Sequence, residues 1–238
     1  VPWETEIQLG ADAYTEVLAS EKVITEGTNK STVGRVGERI RKRTPSRWRK
    51  LEWRFSLIKS ETVNAFALPG GKVAVYEGIL PIMQTEAGMA AVVGHEAAHV
   101  VAQHGAERIS GSLMLQLGLG VASVALGGAG ADPALHDQLM GLLGLGATVG
   151  VVLPFSRANE LESDHIGAIF MAKAGYDPRE APKIWERMSA EYGDSPVAFL
   201  STHPSNAKRI ERLNEEMPGY QKYYKKVRKK HGRGVDLK

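Results

Sequence analysis

The chain has 238 residues, of which 43% are hydrophobic and 24% are charged, and it contains no cysteine. These fractions are typical of a soluble globular protein with one sizeable core, and not of a disordered chain. Without cysteine, the chain can form no disulfide, offer no thiolate metal ligand and use no cysteine nucleophile.

The net charge of +3 is unevenly distributed along the chain. Residues 219–238 contain eight Lys or Arg and one Asp, a balance of +7, which leaves 22 basic and 26 acidic residues, a balance of −4, in the rest. We therefore predict a single domain over residues 1–218, followed by a basic C-terminal tail that is a solvated, frayed terminus. Contact of this tail with anionic lipid is the alternative, and we expect no nucleic-acid partner.

The N-terminal part of the chain predicts two helices followed by three strands. Residues 4–20 and residues 32–43 have the apolar spacing of amphipathic helices. Alternating apolar side chains predict a strand within residues 51–60. Within residues 63–80, a Pro-Gly-Gly turn separates a short strand from a second strand at residues 72–76.

The C-terminal part predicts helices. A helix over residues 86–104 carries three histidines. Residues 111–153 are almost wholly Gly, Ala, Leu and Val around one polar break, which favours a buried or half-exposed helical hairpin. Neither of its helices is a clean membrane span, because glycines and a Gln interrupt the first and the second has only about 15 residues, short of the roughly 20 that a span needs. Further helices are predicted at residues 157–174, 178–192 and 204–216.

The run "GHEAAHVVAQHG" at residues 94–105 indicates a metal site. His95 and His99 are four residues apart, so on a helix they share one face and can bind one zinc ion. Glu96 lies too far round the helix to share that ligation comfortably, but it can act as general base toward a water. Burying these residues without partners on a helix that is apolar all round would be costly, which argues against a solvated helix face. His104 is interpreted as a structural residue, a cation near the helix C-terminus, with a buried donor near the metal as the alternative.

A zinc hydrolase usually has a third protein ligand. A histidine six residues after His99 would complete one known pattern, but that position is Gly105. The segment "SRANELESDHIGA" offers three carboxylates in its place. Glu160 and Asp164 are four residues apart and share a helical face, so one can bind zinc while the other holds a ligand histidine. Glu162 points away from that face and fits a salt-bridged helix surface.

Five segments form a pattern that is more specific than the histidine motif alone. They are "VNAFALPGG" at 63–71, "GHEAAHVVAQHGAER" at 94–108, "SRANELESDHIGA" at 156–168, "GYDP" at 175–178 and "STHPSNAKRI" at 201–210. Together they resemble the M48 family of zinc metallopeptidases, in its Oma1-like, bacterial periplasmic or lipoprotein branch. The resemblance implies that Glu160 is the third zinc ligand, that Asp164 is paired with the catalytic machinery and that His203 lies near the metal.

The resemblance also implies a fold, a cofactor and a reaction. The fold would be α+β and mainly helical, a zincin-like (gluzincin) arrangement with a small β-sheet beside the histidine helix, and it would bind one Zn²⁺ ion per chain. Glu96 would be the general base of an endopeptidase. His203 would either donate a hydrogen bond to the oxyanion or occupy the open zinc position at rest. The strand at Lys72–Tyr76 would be an edge strand that pairs with an extended substrate.

By the same resemblance, the partners would be polypeptide substrates, misfolded or envelope proteins, in protein quality control. The setting would be the bacterial periplasm or a membrane-associated lipoprotein, with possible membrane contact, although no signal peptide is recognisable from Val1. The oligomeric state is left open. The alternative function is a chaperone-like binding module for envelope proteins with a latent zinc site. Glu96 argues against that alternative, because a structural zinc needs no general base.

Overall fold

The computed structural model describes residues 2–110, 154–193, 195, 197–204 and 207–237. The apolar hairpin that we predicted at residues 111–153 lies outside the described residues. The described chain is mainly helical, and its strands form one small sheet, which confirms the predicted fold class. None of its helices combines the length and the apolar character that a membrane span requires.

The elements are numbered in chain order. The helices are α1 (Trp3–Ser20), α2 (Thr28–Arg41), α3 (Ser46–Arg49), α4 (Leu80–Met83), α5 (Glu86–Val101), α6 (Arg157–Lys173), α7 (Glu180–Tyr192), α8 (Ala198–Thr202) and α9 (Ala207–Lys226). The strands are β1 (Val23–Ile24), β2 (Arg54–Ile58), β3 (Ala65–Leu68) and β4 (Lys72–Tyr76). A short 3-10 helix, Glu77–Ile79, precedes α4, and residues 104–110 are also helical.

The sheet has the strand order β1–β2–β4–β3. β2 and β4 are parallel, whereas β1 and β3 run antiparallel to their neighbours. Gly70 and Gly71, both at a φ of +79°, form the tight turn between β3 and β4, where a residue with a Cβ would be strained. The prediction that Lys72–Tyr76 is an edge strand is wrong. β4 pairs on both sides and all five of its residues are buried, as expected for a nearly continuous apolar run, so β3 is the edge beside it in the described sheet.

Most predicted helices are present, with informative differences at their ends. Ser156 caps α6 by accepting a hydrogen bond from the Asn159 N–H, as its residue type and its place before the helix favour. α5 ends at Val101 and not at residue 104, because Gln103 has a left-handed φ of +58°. α9 continues past Pro218, where the sequence predicted an end at residue 216. A proline inside a helix removes one backbone hydrogen bond but does not have to end the helix.

The basic tail is not frayed, contrary to the prediction. α9 extends into it, and the segment at residues 231–237 returns to the start of α5. The Glu86 N–H donates to the Val235 carbonyl at 2.8 Å, and the Ala87 N–H donates to the Arg233 carbonyl at 2.9 Å. These bonds satisfy two of the backbone donors that every helix start leaves unpaired. The charge pattern could not reveal this docking, because it uses the backbone and not the basic side chains.

α5 is the central helix of the core. The sheet, α2, α6 and α7 pack around it, and all of its residues from Glu86 to Val100 are buried. α1 packs against the opposite face of the sheet in a second apolar cluster. Gly94 on α5 and Gly167 on α6 bring these two helices into contact, since a Cβ built on Gly94 would lie 2.9 Å from the Gly167 carbonyl oxygen. This close crossing places the start of α6 beside the histidines of α5.

Candidate metal centre

Four residues that can each offer one metal-ligand atom meet inside the molecule. His95 and His99 lie one turn apart on α5, Glu160 lies in the first turn of α6, and His203 directly follows α8. Their candidate ligand atoms all lie within 4.8 Å of one another, and all four residues are buried. The structure thus brings together the three predicted ligands and the histidine that we predicted near them.

The contacts identify the atoms that face the common centre. His95 Nε2 and His99 Nε2 are 3.0 Å apart, and Glu160 Oε1 lies 3.2 Å from His99 Nε2. His203 turns its Nδ1 to the same point, 3.0 Å from Glu160 Oε1 and 3.3 Å from His95 Nε2. Separations of about 3 Å are close to those of donor atoms that share one ion at about 2 Å each. His203 therefore lies among the candidate ligand atoms.

Asp164 and Arg209 form a buried support behind this group. Asp164 Oδ1 lies 3.0 Å from His95 Nδ1, the ring nitrogen that the other candidate ligands do not contact. Arg209 donates from Nε and Nη2 to the two Asp164 oxygens, each at 2.7 Å, and its Nη1 lies 2.6 Å from Glu160 Oε2. The guanidinium is fully buried and stacks over the Trp185 ring at 3.5 Å from the centroid. Asp164 therefore connects a candidate ligand to a fixed cation.

Sequence reasoning assigned no role to Arg209. A signal for it existed, because two carboxylates one turn apart on a buried helix face need a nearby cation to offset the cost of burying like charges. Arg209 lies six residues after His203 in one of the five segments that carry the family resemblance. The sequence therefore indicated that a cation is needed here, but it did not indicate which of the 30 Lys and Arg residues supplies it.

His104 does not lie at the C-terminus of the histidine helix, contrary to the preferred prediction. It begins the helical residues 104–110, it is only 3% exposed, and its Nδ1 lies 3.0 Å from His99 Nδ1. Glu162 points away from the candidate ligands as predicted, but its Oε2 lies 3.0 Å from His104 Nε2. His165 also faces away from the group, toward α9. His104 thus takes the alternative position, buried beside a candidate ligand.

Glu96 lies at the rim of the group, next to the edge of the sheet. It is 2% exposed, and its Oε1 lies 3.3 Å from His203 Nε2 without hydrogen-bond geometry. Its carboxylate is hydrogen-bonded by the backbone of Ala67 in β3. Burial raises the pKa of the Glu96 carboxyl, against the opposing effect of the histidines beside it. A buried carboxylate with a raised pKa is a suitable proton acceptor at a reaction site.

Burial and neighbouring charges set the protonation of the candidate ligands. Burial disfavours the ionised form of Glu160, but electrostatic interactions with His203, Arg209 and His95 hold the pKa of its carboxyl well below the usual value. Burial holds the pKa of His99 well below its usual value, so this imidazole is neutral. Burial also disfavours the charged form of His95, but Glu160 and Asp164 outweigh it and raise its pKa to about 9. A metal ion would therefore displace a proton from His95 on binding.

The group fits a divalent transition-metal ion. Imidazole and carboxylate donors without thiolate suit such ions, and a double positive charge would compensate a buried ionised carboxylate among closely spaced nitrogens. Glu96 Oε1 accepts no hydrogen bond within the described part of the chain, which leaves a buried oxygen free for a water or a substrate group. The residues present are thus sufficient to hold a metal beside a proton acceptor.

Two histidines one turn apart on a helix, a glutamate from a second helix and a small sheet alongside fit a zincin-like metallopeptidase site. The chain belongs to peptidase family M48, whose family model matches residues 28–217. This match confirms the family resemblance that the five sequence segments indicated.

The chain is similar to proteins of mitochondria and of bacteria. It is 39% identical over 223 residues to the mitochondrial metalloendopeptidase OMA1 of Schizosaccharomyces pombe. The matched region covers 92% of this chain and 63% of that protein. It is 36% identical over 183 residues to the protein of the same name from Saccharomyces cerevisiae, covering 73% and 50% of the two chains. It is 28% identical over 212 residues to the beta-barrel assembly-enhancing protease of Escherichia coli K12, covering 86% and 42%. The chain spans less than two thirds of the length of each of these relatives.

Proposed function

We propose that this chain is a zinc-dependent endopeptidase that cleaves polypeptides in protein quality control. The observation that carries the proposal is that His95, His99 and Glu160 lie close together in the interior, with the buried Glu96 beside them. The chain that places them there is a member of a peptidase family. We assign these three ligands to one zinc ion per chain. Two imidazoles and a carboxylate are a ligand set that leaves a fourth position for the reaction.

We assign the proton transfers to Glu96. When bound, zinc supplies Lewis acidity, which lowers the pKa of water and polarises a carbonyl oxygen. Glu96 takes the proton of the attacking water and returns it to the leaving amine. Its buried position supports this role, because the raised pKa moves the carboxyl toward the range in which it can accept and then release a proton.

We propose two positions for His203. At rest its Nδ1 lies among the candidate ligand atoms and blocks the fourth position. When substrate enters, the ring leaves that position and turns Nε2, which lies 3.3 Å from Glu96 Oε1 at rest, toward the oxyanion of the tetrahedral intermediate. Both roles that the sequence left open are then used, one in each state.

We propose that the substrate backbone pairs with β3 and not with β4. The Asn64 carbonyl accepts from the Tyr76 N–H of β4 at 3.1 Å. Because successive residues of a strand direct their backbone groups to opposite sides, Ala65 and Ala67 direct theirs to the free edge of the described sheet. The contact of Ala67 with Glu96 supports this assignment, since it brings the free edge next to the proton acceptor. Backbone pairing would give affinity with little sequence preference.

We propose an envelope or membrane-associated setting, in which the basic segment 219–238 contacts anionic lipid. Among the described residues, the exposed large hydrophobic side chains are Tyr223 and Val235, and both lie in this segment. Apolar side chains among exposed lysines suit the surface of an anionic bilayer. Two relatives support the setting, since one is named for mitochondria and one for β-barrel assembly. Equal sedimentation with phosphatidylglycerol vesicles and with pure phosphatidylcholine vesicles would contradict the lipid contact.

The experiment that tests the enzymatic proposal separates catalysis from metal binding. Glu96→Gln removes a proton acceptor but no candidate ligand, so zinc content and the melting temperature should stay near wild type. Hydrolysis of a quenched peptide should fall by at least ~10²-fold, the scale of a lost general base. The control is Glu211→Gln on the exposed surface of α9, which should keep full activity.

Wild-type rates in Glu96→Gln, or peptide hydrolysis that survives a metal chelator, would refute the mechanism. The binding-module alternative makes a different prediction. It expects the wild-type chain to bind unfolded casein and to leave it uncleaved, with or without added zinc.

A further inference from the structure

We propose that His104 and Glu162 are positioning residues that hold the candidate metal ligand His99 through a chain of two hydrogen bonds. The inference rests on the proposed zinc site and adds to it a second route of support, separate from the one through Asp164. The sequence prediction preferred a structural role for His104, with a buried donor near the metal as the alternative, and it placed Glu162 on a helix surface.

The ring atoms that face each other determine which residue donates and which accepts in these two hydrogen bonds. His99 uses Nε2 toward the candidate ligand group, so its Nδ1 is on the other side of the ring, 3.0 Å from His104 Nδ1. A neutral histidine that binds a metal through Nε2 carries its proton on Nδ1, and it must donate that proton to an acceptor. His104 Nδ1 is then the acceptor, which leaves the His104 proton on Nε2.

The second bond follows from the first. With its proton on Nε2, His104 donates to Glu162 Oε2 at 3.0 Å. A carboxylate only accepts, so it selects the same tautomer of His104 that His99 requires. The Ser163 hydroxyl lies 3.2 Å from His104 Nδ1 and is a second donor to the same nitrogen, which is consistent with that nitrogen being unprotonated.

The end of α5 makes this contact possible. On a continuous helix, His104 would lie five residues after His99 and about 140° round the axis, out of reach of its ring. The left-handed Gln103, at a φ of +58°, breaks the helix and starts a new one at His104. Gln103 is held in turn by donating from Nε2 to Glu6 of α1 at 2.9 Å.

The two candidate ligand histidines of α5 are therefore held by different means. His95 contacts Asp164, which is buried against Arg209. The hydrogen bonds that start from His99 pass through His104, which is 3% exposed. They end at Glu162, whose side chain is 57% exposed. Hydrogen bonds of this kind orient a ligand ring and raise its basicity, and their loss typically costs 10- to 100-fold in metal affinity.

The experiment measures the zinc affinity of the full chain by competition with a chromogenic chelator. His104→Phe fills the space but removes the acceptor, so zinc should bind roughly 10- to 100-fold more weakly. His104→Asn keeps an acceptor near the position of Nδ1 and should recover most of the affinity. His165→Phe is the matched control, because His165 lies on the far side of α6 and should leave the affinity unchanged.

Glu162 gives a test that does not risk the fold, since it lies at the surface. Glu162→Leu should weaken zinc binding by several-fold to roughly 10-fold, at the low end of such effects, while Glu162→Gln keeps an acceptor and should bind like wild type. Substitution of zinc by Co²⁺ adds a spectroscopic measurement. Its visible absorption should shift in His104→Phe and in Glu162→Leu, but not in the Asn and Gln variants.

The outcomes separate this inference from the proposed function. If wild type binds no zinc, the proposed function fails, and the inference fails with it. If wild type binds zinc and His104→Phe and Glu162→Leu bind it equally well, only the positioning role is overturned. Equal weakening by His104→Phe and His104→Asn, with no effect at Glu162, would also overturn it, because packing alone would then explain the loss.

Discussion

Neutralising Glu86 should remove a pH-dependent part of the stability of this fold. Glu86 is the first residue of α5, and its side chain is 5% exposed. Its carboxylate accepts from Arg35 Nε at 3.0 Å, from Arg39 Nη1 at 2.8 Å and from the Tyr176 hydroxyl at 2.7 Å. The perturbation is Glu86→Gln, which keeps the shape of the side chain and removes its charge.

The pKa of Glu86 gives the magnitude. Burial alone would raise the pKa, but hydrogen bonds from Arg35 and Tyr176 outweigh it and lower the value from 4.5 to about 2. Since each tenfold difference in acidity corresponds to about 1.4 kcal/mol, this drop corresponds to about 3 kcal/mol of folding free energy at neutral pH. Because the folded pKa is the lower one, this stability is present above pH 4.5 and is lost as the pH falls toward about 2.

The assay is urea unfolding of the metal-free protein, followed by tryptophan fluorescence at several values between neutral and strongly acidic pH. Glu86→Gln should be about 3 kcal/mol less stable than wild type at neutral pH, and the difference should shrink steadily below pH 4.5. Glu211→Gln, exposed on α9, should match wild type at every pH. A difference between Glu86→Gln and wild type that is the same at neutral and at acidic pH would refute the reasoning.

Three further predictions concern the metal centre. Glu160→Ala should lower zinc content sharply in elemental analysis, because it removes the carboxylate ligand, and full occupancy would show that another carboxylate binds the ion. Asp164→Ala should weaken zinc binding roughly 10- to 100-fold in a competition titration, because His95 loses its acceptor. An unchanged affinity would show that Asp164 does not support the metal ligand. His203→Ala should reduce kcat by roughly 10²- to 10³-fold with little change in KM if the histidine stabilises the oxyanion. It should instead raise activity if blocking is its only role, and unchanged kcat and KM would exclude both roles.

Spacing along single helices accounts for the part of the site that the sequence could predict. His95 and His99 share one face of α5, and Glu160 and Asp164 share one face of α6, because about 3.6 residues per turn bring positions four apart together. Periodicity alone could not join the two faces, since Glu160 lies 61 positions after His99 in the chain. The family resemblance selected Glu160, and the crossing of α5 over α6 provides the contact.

Two of the wrong predictions have a common cause. Charge patterning treated residues 219–238 as a solvated tail, but their backbone caps α5. The family resemblance implied that Lys72–Tyr76 is an edge strand, but β2 and β3 enclose it. In each case a partner from elsewhere in the chain, and not the residues themselves, determined the outcome.

The sequence by itself determined which chemical groups are available and which of them share a helix face, because these follow from residue type and local helical geometry. Only the tertiary structure decided that Arg209 contacts both buried carboxylates, that His104 turns back to His99 and that β3 is the free edge of the described sheet. The physical reason is that these features depend on contacts between residues far apart in the chain, or on a single left-handed backbone conformation such as that of Gln103. Neither leaves a periodic signal in the sequence.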